Sequence, residues 1–449
     1  MKPSIAKGTR DFLPHQVIKR KYIFDIIKTV FETYGYVPIE TPSFELLSTL
    51  TGKYGEEGDR LLFKILNNGD FLGKADEKDL CEKNSKKIVS QISKRGLRYD
   101  LTVPFARFVV MHENDLTFPF KRYQIQPVWR ADRPQKGRYQ EFYQCDVDAI
   151  GSDSLMYEAE LVKIYDDVFT KLKIPIQIRI NNRKVLEEMS IAIGAKDKFI
   201  DITIAIDKLD KIGMEGVEQE LSKRGLNHKA IESIKSYLEI DSIGGITDWF
   251  EHQQIDSEGL KELKTVFHYL YSIPLHNHVI YDATLARGLN YYTGCILEVK
   301  ATDAEIGSLG GGGRYDELTE VFDRKGMSGV GISFGAERIY DIMEEKNLFP
   351  GDLIHTLDIL FVTFDEFSHK EAFKLASNLR HHGIKTDIYP APAKMKKQMK
   401  YADAIGVPYV AILGGNEMEK RVVSLKNMET GEQKEVAWDD LKKEISSNH

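Results

Sequence analysis

Four arginines stand in glycine-rich or aromatic settings, each in a different stretch of this chain. Arg130 follows Pro127-Val-Trp129, and Arg138 lies within Arg133-Pro-Gln-Lys-Gly-Arg-Tyr-Gln-Glu-Phe142. Arg287 belongs to Leu285-Ala-Arg-Gly-Leu-Asn-Tyr-Tyr-Thr-Gly294, and Arg338 closes Gly329-Val-Gly-Ile-Ser-Phe-Gly-Ala-Glu-Arg338. A guanidinium stays charged and presents a planar fork of donors, so it suits carboxylates and phosphates. Several such forks converging on one pocket are what a triphosphate requires. For any single motif the plain alternative is a solvated arginine.

A second set of residues suits a small zwitterion. Arg98-Tyr-Asp-Leu-Thr102 offers a carboxylate (Asp100) and a hydroxyl (Thr102) for an ammonium group. Gln144 and Asp148 share one face of a strand because strand side chains alternate with period two. A solvent-facing strand is the competing reading for Asp148. Tyr291 and Tyr292 add rigid rings with polar tips. Leu309-Gly-Gly-Gly-Gly-Arg-Tyr-Asp316 permits close backbone approach to a ligand, or else makes a flexible turn. A GKS/T phosphate loop and a strand-GxGxxG-helix fingerprint are both absent from the sequence, which disfavours the common nucleotide folds.

The elements around these motifs follow from periodicity. Apolar residues recur at helical spacing across His15–Tyr34 and stop at Gly35; Tyr36-Val-Pro-Ile-Glu-Thr-Pro42 then reads as extended. Arg98 to Ile150 predicts antiparallel strands with a helix near Phe105–Met111, and Ser154–Leu172 predicts a second long helix. Ile176–Ile180 is a strand. From about Lys184 to Asn277 the composition turns lysine- and glutamate-rich and helical, which reads as an insertion. Strand character resumes at Val279–Asp282 and ends near Gly335, followed by a helix over Ala336–Lys346. After a linker-like Asn347–Asp352, strands at Leu357–Thr363, Lys385–Tyr389 and Tyr409–Leu413 alternate with helices at Ser368–His381 and Ala393–Ile405. That alternation predicts a separate α/β domain with a largely parallel sheet. A hairpin of Arg421–Lys426 and Gln433–Val436 would close its edge.

Bulk properties set wide bounds. The chain has 449 residues, 42% hydrophobic and 29% charged, with net charge −7, as expected of an ordinary globular protein of two or three domains. That charge argues against a wholly basic nucleic-acid coat and leaves room for a local basic groove. Cys81, Cys145 and Cys295 are far apart, without metal-ligand spacing, and suit a reducing compartment. The first ten residues lack the apolar stretch of a signal peptide, and no apolar run approaches the ~20 residues that span a bilayer. A cytoplasmic location without membrane attachment is the expectation.

In their order along the chain these motifs resemble the class II aminoacyl-tRNA synthetases, most closely the histidyl-tRNA synthetase family. Gly8-Thr-Arg-Asp-Phe12 is similar to the family's N-terminal segment, and Tyr36–Pro42 to its motif 1. Trp129–Asp132 through Arg138–Phe142 resembles motif 2, and Phe334-Gly-Ala-Glu-Arg338 motif 3. The histidine-specific pair is Leu285–Gly294 and Gly310–Asp316. The resemblance implies an α+β fold: a class II antiparallel-sheet catalytic domain of six or seven strands with a helical insertion, plus a C-terminal α/β anticodon-binding domain. The corresponding bounds are 1–183 and 278–346 for the catalytic domain, 184–277 for the insertion, 347–356 for the linker and 357–449 for the last domain.

Residue roles follow from the same resemblance. Arg130 would hold the α-phosphate of ATP, and Arg138 and Arg338 the departing pyrophosphate. Phe142 would stack under adenine against Arg338. Arg287 would bridge the histidine carboxylate and the α-phosphate, making Arg287 and Arg130 the catalytic pair. Asp100, Thr102 and Gln144 would bind the ammonium; Asp148 and Tyr292 would read the imidazole, with Tyr291 and Tyr315 completing the wall. ATP is expected as substrate with Mg²⁺ on its phosphates, no metal being held by protein ligands alone. L-histidine, tRNA(His) and a second copy of the chain in a homodimer are the expected partners. Gln135 and Lys136 are candidates for the tRNA acceptor end; Lys396 and Lys397 are candidates for phosphates nearer the anticodon, or else a solvated helix face. Asp132 stands where motif 2 usually carries glutamate, and Asp100 and Asp148 where many bacterial members do. The alternative function is a non-catalytic histidine-binding regulatory paralogue, which usually lacks the last domain and the motif arginines.

Overall fold

A computed structural model describes residues 2–52, 55–135, 137–286, 291–354 and 356–446. Helix α1 (Pro14–Thr33) begins with proline at its first turn, where a missing N–H costs nothing. Its Ile23, Ile27, Val30 and Phe31 form one buried stripe at helical spacing. The chain turns back at Gly35, whose φ of +78° is costly for other residues.

Among the described residues the main sheet has eight strands. In chain order they are β1 (Val37–Pro38), β2 (Phe120–Trp129), β3 (Glu141–Ile150), β4 (Ile176–Asn182), β5 (His278–Tyr281), β6 (Cys295–Ala301), β7 (Gly310–Tyr315) and β8 (Gly329–Gly335). Their spatial order is β1-β2-β3-β8-β7-β6-β4-β5. The inner pairs are antiparallel, while β1–β2 and β4–β5 at the two edges are parallel. The sheet is therefore wider than the six or seven antiparallel strands expected. The edge strands hold two and four residues, too short to leave a periodic signal.

The two faces of the sheet serve different ends. Cys145, Val147 and Ala149 of β3 join one core with α1 and helix α2 (Met156–Lys171), whose Leu161, Ile164, Tyr165, Val168 and Phe169 are fully buried. Each such side chain contributes about 1.5–3 kcal/mol by leaving water. Ile150, on the opposite face, joins a second cluster with Phe105 and Tyr315. Six α-helices between Arg183 and Tyr271 add their buried faces to the first core. A three-stranded sheet of Phe44–Leu46, Lys64–Ile65 and Arg95–Leu97 was not legible in the sequence.

The chain divides into two compact units, Met1–Phe349 and Pro350–His449. In the second, strand Ile359–Thr363 lies between parallel neighbours Thr386–Ile388 and Tyr409–Leu413, with Val422–Asn427 and Gln433–Ala437 added antiparallel. Alternate residues of the central strand face opposite sides. Ile359 and Phe361 pack with Ala372 and Ala376 of helix Glu366–His381; Leu360 and Val362 pack with Ala402 of helix Met395–Ile405.

Candidate active site

A cavity of about 540 Å³ opens on the β3–β8–β7–β6 face of the main sheet. At one end it gathers cations. Arg130 leaves the end of β2 and donates to the Tyr99 carbonyl at 3.0 Å and to Gln144 Oε1 at 3.3 Å. Its guanidinium lies 4.3 Å from the Tyr99 ring and 5.3 Å from that of Phe142. Arg338, on the first turn of the helix Ala336–Glu345 that follows β8, donates to the Gly137 carbonyl at 3.1 Å and the Ser308 carbonyl at 2.6 Å. These acceptors are neutral, so hydrogen bonding orients both arginines without cancelling their charge. Burial, and then the like charges of Arg138 and Arg130, hold the Arg338 pKa below its ordinary value. Arg138 is half-exposed and only loosely paired, 3.7 Å from Asp132. Three guanidiniums held close with this little compensation attract a polyanion.

The other end gathers carboxylates. Gln144, Asp146 and Asp148 project from one face of β3, and all three line the cavity. Asp148 lies 2.8 Å from Arg122 Nη2 and accepts a 2.7 Å bond from the Tyr315 hydroxyl. Asp146 accepts a 3.3 Å bond from Gln144 Nε2. Asp100 accepts from the Val103 backbone N–H at 3.2 Å and from the Tyr291 hydroxyl at 3.3 Å. Burial pushes the Asp146 carboxyl up to about 7 even though Arg122 opposes the shift. Burial raises Asp148 too, against Arg122 and the Tyr315 hydrogen bond. Burial dominates, the neighbouring carboxylates add to it, and Asp146 and Asp148 share the single guanidinium of Arg122, so a further cation would relieve them.

An aromatic wall closes this end. Tyr291 packs edge-on against Tyr292 at 4.9 Å and Tyr315 at 6.2 Å. Burial, then Asp148 and Asp146, raise the Tyr292 pKa, so its hydroxyl stays protonated and able to donate.

The glycine run is a central strand rather than a loop. A Cβ at Gly312 would come within 2.1 Å of the Gly331 carbonyl, so adjacent strands touch through backbone there. At Gly331 a Cβ would fall 1.9 Å from Asp148 Oδ1; the carboxylate lies over that bare position.

Of the residues singled out from sequence, Asp100, Thr102, Arg130, Asp132, Arg138, Phe142, Gln144, Asp148, Tyr291, Tyr292, Tyr315 and Arg338 all line this cavity. Gln135 is exposed on the loop between β2 and β3, and Lys396 and Lys397 are exposed on the second unit. Arg287 and Lys136 lie outside the described residues. Asp146 and Arg122 escaped the sequence reading. Period-two spacing from Gln144 to Asp148 already places Asp146 on the same face, whereas Arg122 becomes relevant only through its register opposite Asp148. Arg98 carries no site chemistry here: it is fully buried, donates to the Thr41, Pro42 and Pro127 carbonyls, and has its pKa lowered to about 10 by burial.

Among the described residues one group of three metal-ligating side chains occurs, Asp166, Asp167 and His276, outside the cavity, and Lys163 already engages both of its carboxylates. Within the cavity Asp132 and Glu298 are oxygen donors of the kind Mg²⁺ takes alongside phosphate.

The fold has a counterpart among known proteins. Residues 70–339, more than half the chain, match the family model for histidyl-tRNA synthetase, and residues 358–448 match that for an anticodon binding domain. The chain belongs to the histidyl-tRNA synthetase family. It is 52% identical over 443 residues to the histidine–tRNA ligase of Porphyromonas gingivalis and 51% identical over 445 residues to that of Bacteroides fragilis, covering 98% of each chain in both cases. The crystal structure of histidyl-tRNA synthetase from Nostoc sp. PCC 7120 aligns over 100% of both chains with TM-score 0.83 and 31% identity. Among the described residues no helix is long and apolar enough to cross a membrane.

Proposed function

We propose that the arginine end of the cavity takes the triphosphate of ATP and the carboxylate end takes L-histidine. The observation carrying this reading is how charge clusters around one cavity: Arg138 and Arg130 act on Arg338, while Asp148 and Asp100 act on Asp146. A histidine carboxylate oxygen attacks the α-phosphorus, pyrophosphate leaves, and histidyl-adenylate forms. A ribose hydroxyl at the 3′ end of tRNA(His) then attacks the acyl carbon and AMP departs.

Arg130 stabilises the charge that builds on the α-phosphate, Arg138 and Arg338 hold the leaving pyrophosphate, and Phe142 offers its ring to adenine. Preorganised donors of this kind are the main electrostatic source of rate. Arg287 is assigned the bridge between histidine carboxylate and α-phosphate. Asp132 and Glu298 would hold Mg²⁺ on the phosphates, where the ion offsets their charge.

Asp100, Thr102 and Gln144 take the ammonium. Asp148, Tyr292, Tyr291 and Tyr315 surround the imidazole, whose two nitrogens demand partners. A wrong amino acid leaves those buried groups unpaired, which can discriminate by ~10⁴ or more without editing.

Residues 1–183 and 278–346 form the catalytic domain, 184–277 the helical insertion, 347–356 the linker and 357–449 the anticodon-binding domain. Gln135 and Lys136 meet the acceptor end, and Lys396 and Lys397 the phosphates near the anticodon. A cytoplasmic homodimer is the working form. The regulatory-paralogue alternative is disfavoured by retention of the motif arginines and of the last domain.

Pyrophosphate exchange with ATP and each of the twenty amino acids, followed by charging of total tRNA, tests the reading. Exchange with histidine alone plus charging is expected. Histidine binding without exchange would instead point to the regulatory paralogue.

A further inference from the structure

The segment Gly8–Phe12 has no part in the chemistry above, yet it is wired into the arginine end of the cavity. The Gly8 carbonyl accepts a 2.9 Å bond from the Gln140 N–H, and the Gln140 carbonyl accepts a 3.0 Å bond from the Arg130 N–H. Gln140 Nε2 donates to the Asp132 carbonyl at 3.0 Å. Gln140 thus joins the N-terminal segment to both ends of the short run Arg130–Asp132. Gly8 adopts φ +82°, and a Cβ there would stand 2.6 Å from Gln140 Cγ, so side chain and segment are in direct contact.

Arg10 adds a second link. Its Nη2 lies 2.5 Å from Glu337 Oε2, and its guanidinium sits 3.5 Å from the centre of the Tyr139 ring and 4.8 Å from that of Phe12. Tyr139 is the neighbour of Arg138 in sequence, and Glu337 is the neighbour of Arg338. Glu337 lines the cavity, is nearly buried, and is also paired with Arg20 at 2.5 Å. The two cations both pair with the same oxygen of this carboxylate and offset its charge. With Arg10 gone, Glu337 is less neutralised beside a site that must receive a polyanion, and Tyr139 loses the group that fixes it.

We propose that Arg10 is a positioning residue of the phosphate subsite, holding the loop that carries Arg138 and the helix turn that carries Arg338 without touching the substrate itself. The inference rests on the assignment of the arginine end to ATP. Its specificity comes from location: Arg10 contacts Glu337, Tyr139 and Phe12, beside the arginines of the cavity.

The test is pyrophosphate exchange by full-length R10Q and R10K proteins, with KM measured separately for ATP and histidine and Tm recorded for each. Expected for R10Q is a KM for ATP raised roughly tenfold, as a small misplacement of binding groups produces, with KM for histidine within about twofold of the unaltered chain. R10K, which keeps the charge and loses the planar stack, should recover part of the ATP affinity. If R10Q does not fold, R10K alone carries the test through a selective rise in KM for ATP. Unchanged KM for ATP in these variants would overturn the role of Arg10. So would a parallel rise in both KM values with a fallen Tm, the mark of a merely structural residue. Absence of ATP-dependent exchange in the unaltered chain would instead overturn the ATP assignment beneath it.

Discussion

Arg122 and Asp148 face each other across the β2–β3 ladder, 2.8 Å apart and both almost wholly buried. Arg122 also lies 4.2 Å from the Phe105 ring and donates to Gln124 Oε1 at 3.3 Å. It is thus the counter-charge of the carboxylate end, supplied by the neighbouring strand.

Removing that counter-charge should be severe. Arg122→Met leaves Asp148 and Asp146 buried without their counter-charge, and loss of one partner from a buried pair costs about 3–5 kcal/mol. Chemical denaturation should show a fall of that size, while Arg122→Met with Asp148→Asn should recover part of it. Equal stability of Arg122→Met and the unaltered chain would refute the assignment.

The carboxylate end should also make stability depend on pH. Burial pushes the Asp146 carboxyl up to about 7 in the folded chain, from an ordinary value of 3.8. A group whose folded pKa is raised favours the folded state most below its unfolded pKa, and that contribution is lost as pH rises through the folded value. Asp148 is raised as well and acts in the same direction. Without substrate, the Tm difference between Asp146→Asn and the unaltered chain should widen in favour of the variant from pH 5 to pH 8. A difference that stays constant with pH would show that Asp146 does not titrate there.

At the opposite end, charge rather than shape is at issue. Arg130→Gln removes the donor assigned to the α-phosphate and should lower kcat for pyrophosphate exchange by roughly 10²–10³, the usual cost of one preorganised donor. The fold should survive, since the side-chain partners of Arg130, Tyr99, Gln144 and Phe142, are uncharged. Circular dichroism checks the fold and initial-rate kinetics the donor; near-normal kcat would remove Arg130 from the mechanism.

Two glycines should fail in different ways. At Gly312 a methyl meets the Gly331 backbone at 2.1 Å, and a central strand cannot yield, so Gly312→Ala should give little soluble protein. At Gly331 the methyl meets the Asp148 carboxylate at 1.9 Å, and that side chain can yield only by giving up part of its hold on Arg122 and Tyr315. Gly331→Ala should therefore lose stability but still fold, hold ATP, and lose histidine affinity. Calorimetric titration with each ligand separates these effects, and normal histidine affinity would count against Asp148 as its reader.

Long periodic segments were legible from residue order alone. The stripe Ile23–Ile27–Val30–Phe31 and the alternation of β3 record which atoms must leave water, and a run of ten or more residues repeats that record several times. The same alternation placed Gln144 and Asp148 on one face and would have placed Asp146 there. Strands of two or three residues, such as Val37–Pro38 and Lys64–Ile65, repeat nothing, because partners distant in sequence create them.

Residue order by itself therefore determined the chemical inventory of the cavity: arginines in separate glycine or aromatic settings, carboxylates at strand spacing, and a tyrosine pair. Only the tertiary structure decided how those charges were apportioned. It set Arg122 opposite Asp148, turned Glu337 toward Arg10 and Arg20, and left Arg130 and Arg338 with neutral partners. The reason is physical. Local sequence sets the periodicity of a strand or helix, but the field at a buried charge comes from neighbours tens to more than three hundred residues away along the chain.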